Sequence, residues 1–152
     1  MYLVDTNIHA AFLLQDYEGD ELTKQYLELF DEISLADRVV SDFILGEFET
    51  FIMQVVPSRY KLKPDYKKKL KQLALDYIER LTSECTVITP DVQTVQRARD
   101  IYFEYANTHY MSFIDCLILA TAKHNNYTLF TKDRRMITIA KKLEIPCHEP
   151  PT

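Results

Sequence analysis

Short apolar runs alternate along the chain with longer segments of helical periodicity, and this alternation restricts the fold more than any other feature. Five runs are typical of short strands: MYLV (1–4), RVV (38–40), CTVI (85–88), YTLF (127–130) and IPCH (145–148). Stripes of helical period separate them over 22–33, 70–81 and 92–105. Strands that alternate with helices pair in parallel, so the sequence predicts an α/β sandwich. No shift in composition divides the chain, and we expect a single domain over 1–152.

Composition excludes several classes of protein. The chain has only two glycines, Gly19 and Gly46, too few for a glycine-rich phosphate loop or a dinucleotide-binding motif. A net charge of −5 argues against a protein that coats nucleic acid by bulk charge. The four histidines lie far apart, which argues against a zinc site.

The N-terminus and the cysteines indicate a cytoplasmic protein. The apolar segment 1–14 has no basic region before it, and Asp5 interrupts it, so it does not resemble a signal peptide. No apolar run approaches the length that spans a membrane. Three cysteines without CxxC spacing are typical of reduced thiols in the cytosol.

The helix that begins FIDCLILATA (113–122) carries an acid in an unexpected place. Eight of its ten residues are apolar, so we expect the helix to be buried. Burial of an ionised carboxylate is costly unless the group is paired, hydrogen-bonded or bound to metal. Ser112 and Asp115 have the spacing of a capping box, which explains why an acid is tolerated there.

Three further acids are predicted to lie at the same edge of the sheet. Asp5 follows the first strand and Asp133 follows the fourth, and each alone is also consistent with a helix N-cap. Glu47 falls within the apolar stripe of helix 42–55, which we assign to Ile44, Phe48, Phe51, Ile52 and Val55. At 100° per residue Glu49 points away from Glu47, so we expect Glu49 to be solvated.

The four carboxylates together are harder to explain as caps than each one alone. Ligands bind at the carboxyl ends of parallel strands, and the four acids converge there. Four negative charges in one low-dielectric site repel one another unless a positive group offsets them. Hard oxygen ligands of this kind select Mg²⁺ or Mn²⁺, so we predict that Asp115 is a metal ligand.

With these acids in this order, the chain resembles a PIN-domain ribonuclease. The matching segments are LVDTN (3–7), SDFILGEFE (41–49) and SFIDCLILATAKHNNYTLFTKD (112–133), in that order. Within the family the likeness is greatest to the VapC-type toxins of toxin–antitoxin pairs. The resemblance implies a three-layer α-β-α sandwich around a five-stranded parallel sheet of order 3-2-1-4-5. It also implies metal-dependent hydrolysis of RNA that leaves a 5′-phosphate.

The resemblance also implies roles for individual residues. Asp5, Glu47, Asp115 and Asp133 would be the four acidic site residues. Thr6 or Thr131 would supply a supporting hydroxyl, and Asn7 would orient the first aspartate. From the chemistry we expect Asp5, Asp115 and Asp133 to hold one or two ions, with Glu47 binding a second ion or orienting the attacking water. PIN toxins usually form homodimers and bind a small antitoxin protein, so we expect both partners.

Basic residues that would bind RNA phosphates are concentrated in one segment. Residues 59–71 carry seven of the 18 basic residues and one of the 23 acids, including Lys67 and Lys68. The rest of the chain therefore has a net charge of −11, from 11 basic and 22 acidic residues. Arg134 and Arg135 follow a proposed ligand and are also predicted to contact phosphate. The alternative for the lysines is a solvated helix face.

Three other functions compete with the toxin. The first is a stand-alone PIN nuclease for RNA processing, and the second is a PIN-like module that binds RNA or protein without cutting. The third is a phosphatase with an aspartate nucleophile, but that chemistry needs a second aspartate at position 7, where this chain has Asn7.

Overall fold

A parallel sheet forms the centre of the structure, a computed structural model that describes residues 1–15 and 19–151. In these residues the sheet has four strands, in the order β3-β2-β1-β4. The strands are Tyr2–Val4 (β1), Arg38–Ser41 (β2), Thr86–Ile88 (β3) and Thr128–Phe130 (β4). All neighbouring pairs are parallel, and Leu3 of β1 lies between Val39 of β2 and Leu129 of β4. Each of these strands was predicted to within one residue.

Helices connect the strands, as parallel pairing requires. Within the described residues the α-helices are Thr6–Leu13 (α1), Glu21–Glu32 (α2), Asp42–Thr50 (α3), Val56–Arg59 (α4), Pro64–Glu84 (α5), Val92–His109 (α6), Phe113–Asn125 (α7) and Arg134–Lys142 (α8). None of the helices in this part of the chain is both long enough and apolar enough to cross a membrane.

Side chains of the strands alternate between two cores, which makes the fold a three-layer sandwich. Val4 and Phe130 join the smaller core, together with α1 and α2. Their neighbours Leu3 and Leu129 join the larger core, with side chains from α3 and from α5 to α8. Fully burying one such side chain stabilises the fold by roughly 1.5–3 kcal/mol, so both faces of the short strands are needed. The layers and the strand order agree with the predicted PIN fold.

The predicted fifth strand, IPCH (145–148), is the one element that does not form. In its place a single parallel bridge joins Cys147 to Leu129 of β4. Leu129 N donates to Pro146 O at 2.8 Å, and His148 N donates to Leu129 O at 2.9 Å. The segment lies where the predicted order 3-2-1-4-5 puts a fifth strand. Pro146 has no N–H to extend a ladder, and Pro150 and Pro151 follow shortly after, so the pairing stays one residue long.

The helix predicted over 42–55 is interrupted by a π-helical turn over Phe51–Val55. Pro57 follows this turn and lacks the N–H that a regular helix would donate to Met53. The wider turn displaces the apolar stripe by one residue, so Val56 is buried whereas Val55 is 36% exposed. The assignment of Val55 to the buried stripe was therefore wrong.

Candidate acidic site

A cleft of about 560 Å³ opens at the carboxyl edge of the sheet, beside the first turn of α1. Among the described residues its wall contains five carboxylates and two cations: Asp5, Asp20, Glu47, Asp115, Asp133, Arg59 and Lys132. The four acids that the sequence predicted to converge thus line one cavity, and their immediate surroundings differ.

Asp5 lies deepest and is only 4% exposed. It caps α1, and its Oδ1 accepts a hydrogen bond from Thr6 N at 2.7 Å. Its Oδ2 accepts from the Thr131 hydroxyl, also at 2.7 Å. Burial, opposed by the Thr131 hydrogen bond and assisted by the charges of Glu47 and Asp115, raises the pKa of Asp5 to about 7. A nearby cation would reverse this balance and favour the ionised carboxylate.

Thr131 joins three parts of the site through one hydroxyl. Besides donating to Asp5, its Oγ1 accepts from Asn7 Nδ2 at 3.1 Å and from Asp133 N at 3.1 Å. The other end of the Asn7 amide, Oδ1, accepts from Lys132 N at 3.2 Å. These bonds attach the loop after β4 to the first turn of α1 and so hold the two strand ends in register. Thr131 is 1% exposed and lies beneath the cleft rather than in its wall.

Glu47 reaches the cleft from the middle of α3. The helix begins at Ser41, whose hydroxyl caps Ile44 N at 3.2 Å. The Thr6 hydroxyl donates to Glu47 Oε1. Glu47 is half-buried and Glu49 is exposed, so the two acids face opposite ways as predicted.

Asp115 and Asp133 both cap helices and line the cleft. Asp115 Oδ2 accepts from Ser112 N at 3.1 Å, and Ser112 Oγ accepts from Asp115 N at 3.1 Å, which completes the predicted capping box. Asp133 Oδ1 accepts from Arg135 N at 2.9 Å at the start of α8. The cap interpretation and the site interpretation therefore apply to the same side chains, because a carboxylate at a helix start can cap the helix and also face the cleft.

The predicted basic residues lie outside the wall of the acidic cleft, and Arg135 contacts one of the four predicted site acids. Arg134 is paired with Glu149 at 3.5 Å. Arg135 Nε lies 3.5 Å from Asp133 Oδ1, and its Nη1 donates to Tyr110 O at 3.3 Å. Lys67 and Lys68 are exposed within the first two turns of α5. In the described residues none of these four side chains forms part of the cleft wall.

Two cations that do line the cleft were missed as individual site residues. Lys132 Nζ donates to the Thr23 hydroxyl at 3.2 Å, next to the Asp20 cap of α2. Lys132 directly precedes Asp133, so the sequence alone could have indicated that it lies near the site. Arg59 begins the predicted basic segment, and its guanidinium carbon lies 5.6 Å from the centre of the Phe51 ring on the cleft wall. The π-helical turn that orients Phe51 could not be read from periodicity.

The donor chemistry of the cleft suits a hard divalent cation. Carboxylate oxygens and threonine hydroxyls are the ligands that Mg²⁺ and Mn²⁺ prefer. In residues 1–15 and 19–151, no three His, Cys, Asp or Glu side chains lie close enough to hold one ion directly. Mg²⁺ commonly keeps several waters and takes only one or two carboxylates, so the acids fit an ion that is partly hydrated.

Solved structures of other proteins share this fold. VapC20 of Mycobacterium tuberculosis, described as a sarcin–ricin loop cleaving toxin, aligns with a TM-score of 0.66 and 17% identity over 91% of this chain and 95% of that chain. FitAcB from Neisseria gonorrhoeae aligns with a TM-score of 0.71 and 21% identity over 99% and 98%. A toxin–antitoxin complex from Klebsiella pneumoniae aligns with a TM-score of 0.51 and 21% identity over 88% and 87%.

Sequence comparison adds the family. No curated protein is similar enough in sequence to count as a match. The family profile described as the PIN domain, however, matches residues 2–142, which include all four acids of the cleft. The match spans nearly the whole chain and confirms the resemblance seen in the sequence: this protein belongs to the PIN domain family.

Proposed function

We propose that this protein is an endoribonuclease that requires Mg²⁺ or Mn²⁺ and acts as the toxin of a toxin–antitoxin pair. The observation that carries the proposal is the presence of Asp5, Glu47, Asp115 and Asp133 in the wall of one cleft, with the innermost acid buried. The VapC20 toxin and the Klebsiella toxin–antitoxin complex share the fold and support this choice among PIN functions.

In this proposal Asp5, Asp115 and Asp133 would hold one or two ions, partly through bound water, and Glu47 would bind a second ion or orient the attacking water. When bound, the metal activates water and stabilises the charge that develops on the phosphate oxygens. The protein contributes orientation, since Thr6 and Thr131 fix the two oxygens of Asp5 and leave little freedom in the carboxylate. Thr6 also holds Glu47 through its hydroxyl, which relates the positions of these two acids.

Cations around the cleft would bind the RNA backbone. Lys132 lines the cleft beside Asp133, and we propose that its ammonium group binds a phosphate beside the scissile bond. Arg134, Arg135, Lys67 and Lys68 lie outside the cleft wall and would contact phosphates farther along the strand. We further propose a small antitoxin partner, a homodimer and a cytoplasmic location, in line with the resemblance to VapC-type toxins.

A nuclease assay with matched glutamate variants tests the proposal. Purified protein is incubated with single-stranded RNA, structured RNA and single-stranded DNA in Mg²⁺, Mn²⁺ or EDTA. We expect cleavage of RNA that stops in EDTA. Glu47→Gln should lower the rate by about 100-fold, equivalent to roughly 3 kcal/mol. Glu49→Gln, on the outer face of the same helix, should leave the rate unchanged.

Other outcomes favour the alternatives. Metal-independent RNA binding without cleavage products would favour the non-cutting module. Cleavage of DNA but not RNA would show that the substrate is DNA. Cleavage of RNA by a protein that binds no small protein encoded beside it would favour the stand-alone processing nuclease. Equal effects of Glu47→Gln and Glu49→Gln would refute the assignment of the cleft as the active site.

A further inference from the structure

A second cavity, of about 200 Å³, lies between α4 and the first half of α5. Its floor is apolar and includes Val56, Leu62 and Leu70. Tyr60 and Tyr66 form its sides, and they are 44% and 53% exposed. We call this cavity the tyrosine pocket. Open aromatic side chains over an apolar floor form a surface on which a flat ring can stack.

The tyrosine pocket adjoins the acidic cleft. Leu14, at the end of α1, lines both cavities. Arg59 lines the cleft, and the next residue, Tyr60, lines the pocket. Among the described residues, an RNA strand that leaves the acids past Arg59 therefore meets the tyrosine pocket as the neighbouring cavity.

The charge around the tyrosine pocket indicates which kind of polymer binds there. The segment 59–71, which provides five of the lining residues, carries seven cations and one acid, whereas the rest of the protein has a net charge of −11. Lys69 Nζ lies 5.9 Å from the centre of the Tyr66 ring at the rim of the pocket. Cations interleaved with exposed aromatic rings are the arrangement by which proteins hold single-stranded nucleic acid.

We propose that the tyrosine pocket binds one unpaired nucleobase of the RNA substrate, at a fixed number of nucleotides from the bond that is cut. The inference rests on the proposed ribonuclease function, because it needs an RNA strand in the adjoining cleft. The base stacks on Tyr60 or Tyr66, and the cations of 59–71 bind the flanking phosphates. The lining is largely apolar, so the pocket distinguishes unpaired from paired bases better than it distinguishes one base from another.

The size of the tyrosine pocket and its charge favour a base over an apolar peptide. Pockets for drug-sized ligands measure roughly 300–1,000 Å³, so about 200 Å³ suits one flat ring system. An apolar peptide would gain nothing from the seven cations of 59–71. Phosphates on both sides of a base would complement them.

The test is a binding measurement in EDTA, where the proposed nuclease leaves its RNA intact. Fluorescein-labelled RNA 12-mers, each with one abasic nucleotide at a different position, are titrated with wild type and with Tyr66→Leu by anisotropy. The wild type should lose at least about 5-fold in affinity at one or two adjacent positions, the effect of one lost stack. Tyr66→Leu should bind the intact 12-mer about as weakly as the wild type binds the affected abasic 12-mers. Its affinity should not change when the same positions are made abasic.

Three controls separate stacking from other effects. Tyr66→Phe keeps the ring and should bind like wild type. Tyr102→Leu makes the same chemical change on α6, away from both cavities, and should also bind like wild type. A fully paired RNA duplex should bind wild type and Tyr66→Leu equally. Tyr66 is half exposed, so the leucine variant should fold, which its melting temperature verifies.

The outcomes distinguish this inference from the proposed function. If wild type cleaves RNA but no abasic position matters, or if Tyr66→Leu binds RNA normally and instead loses a protein partner, the tyrosine pocket is not a base site although the nuclease remains. If wild type neither binds nor cleaves single-stranded RNA, the proposed function and this inference both fail.

Discussion

Acidification should affect two buried groups of the metal-free protein in opposite directions. His9 is 1% exposed, its Nδ1 lies 2.7 Å from the Tyr77 hydroxyl, and its Nε2 has no hydrogen-bond partner among the described residues. Burial lowers the pKa of His9 to about 3, helped by the charge of Arg38. Burial raises the pKa of Asp5 to about 7.

The sign of each effect follows from proton linkage. The unfolded protein binds a proton on His9 below pH 6.5, whereas the folded protein does so only near pH 3. Stability from this group is therefore lost as the pH falls, by about 2 kcal/mol between pH 7.5 and 5.0. The folded protein binds a proton on Asp5 below pH 7 and the unfolded protein only near pH 3.8. Acidification over the same range therefore adds about 2.5 kcal/mol from Asp5.

Urea denaturation at pH 7.5 and 5.0, in EDTA, measures the two contributions. The wild type should change by less than about 1 kcal/mol, because the two effects nearly cancel. His9→Phe should become more stable on acidification by about 2.5 kcal/mol, and Asp5→Asn should become less stable by about 2 kcal/mol. Each variant is compared with itself at two pH values, so the constant cost of a lost hydrogen bond cancels. Parallel pH profiles for wild type and His9→Phe would refute the buried, neutral histidine.

Three other measurements test the site. Mn²⁺ should raise the melting temperature of the wild type by mass action, and Asp115→Asn should lose that response while being more stable without metal, since a charge beside Asp5 is removed; a flat response from the wild type would contradict the metal site. Thr131→Val should lower the free energy of unfolding by about 2 kcal/mol in urea denaturation, because it leaves the buried Asp5 oxygen and the Asn7 amide without their partner; a change below about 0.5 kcal/mol would contradict the role of this hydroxyl. Ser112→Ala should cost about 1 kcal/mol as a lost cap in the same measurement, and it should also lower nuclease activity, because the Ser112 hydroxyl fixes the backbone of Asp115 in the first turn of α7. Unchanged activity at reduced stability would show that this bond does not position the acid.

Much of the fold and the acids of the cleft could be predicted because both depend on simple geometry. Parallel strands end at one edge of a sheet, so Asp5 and Asp133 could be placed at the same edge once two strands were recognised. Helical periodicity at 100° per residue was enough to separate Glu47 from Glu49. Both arguments need only local sequence and the handedness of regular elements.

What could not be predicted depends on single backbone atoms or on side chains from distant segments. The missing N–H of Pro146 reduced a strand to one bridge, although its apolar run looked like the others. Pro57, which lacks an N–H, comes after a π-helical turn. In that turn Val55 is exposed and Phe51 faces the cleft. Lys132 and Arg59 enter the site because Thr23 and Phe51 lie beside them, and such neighbours exist only after folding.

The helix caps of the site have a consequence for reading its relatives. Asp5 and Asp133 are helix N-caps and Asp115 completes the capping box of α7, so a descendant that had lost its chemistry could still keep all three for folding. The presence of these three aspartates in a related gene is therefore weak evidence that its product is active. Glu47 lies in the middle of α3 and caps nothing. Replacement of Glu47 in a relative would therefore indicate the loss of nuclease activity more clearly than replacement of one of the three aspartates, and it should occur earlier.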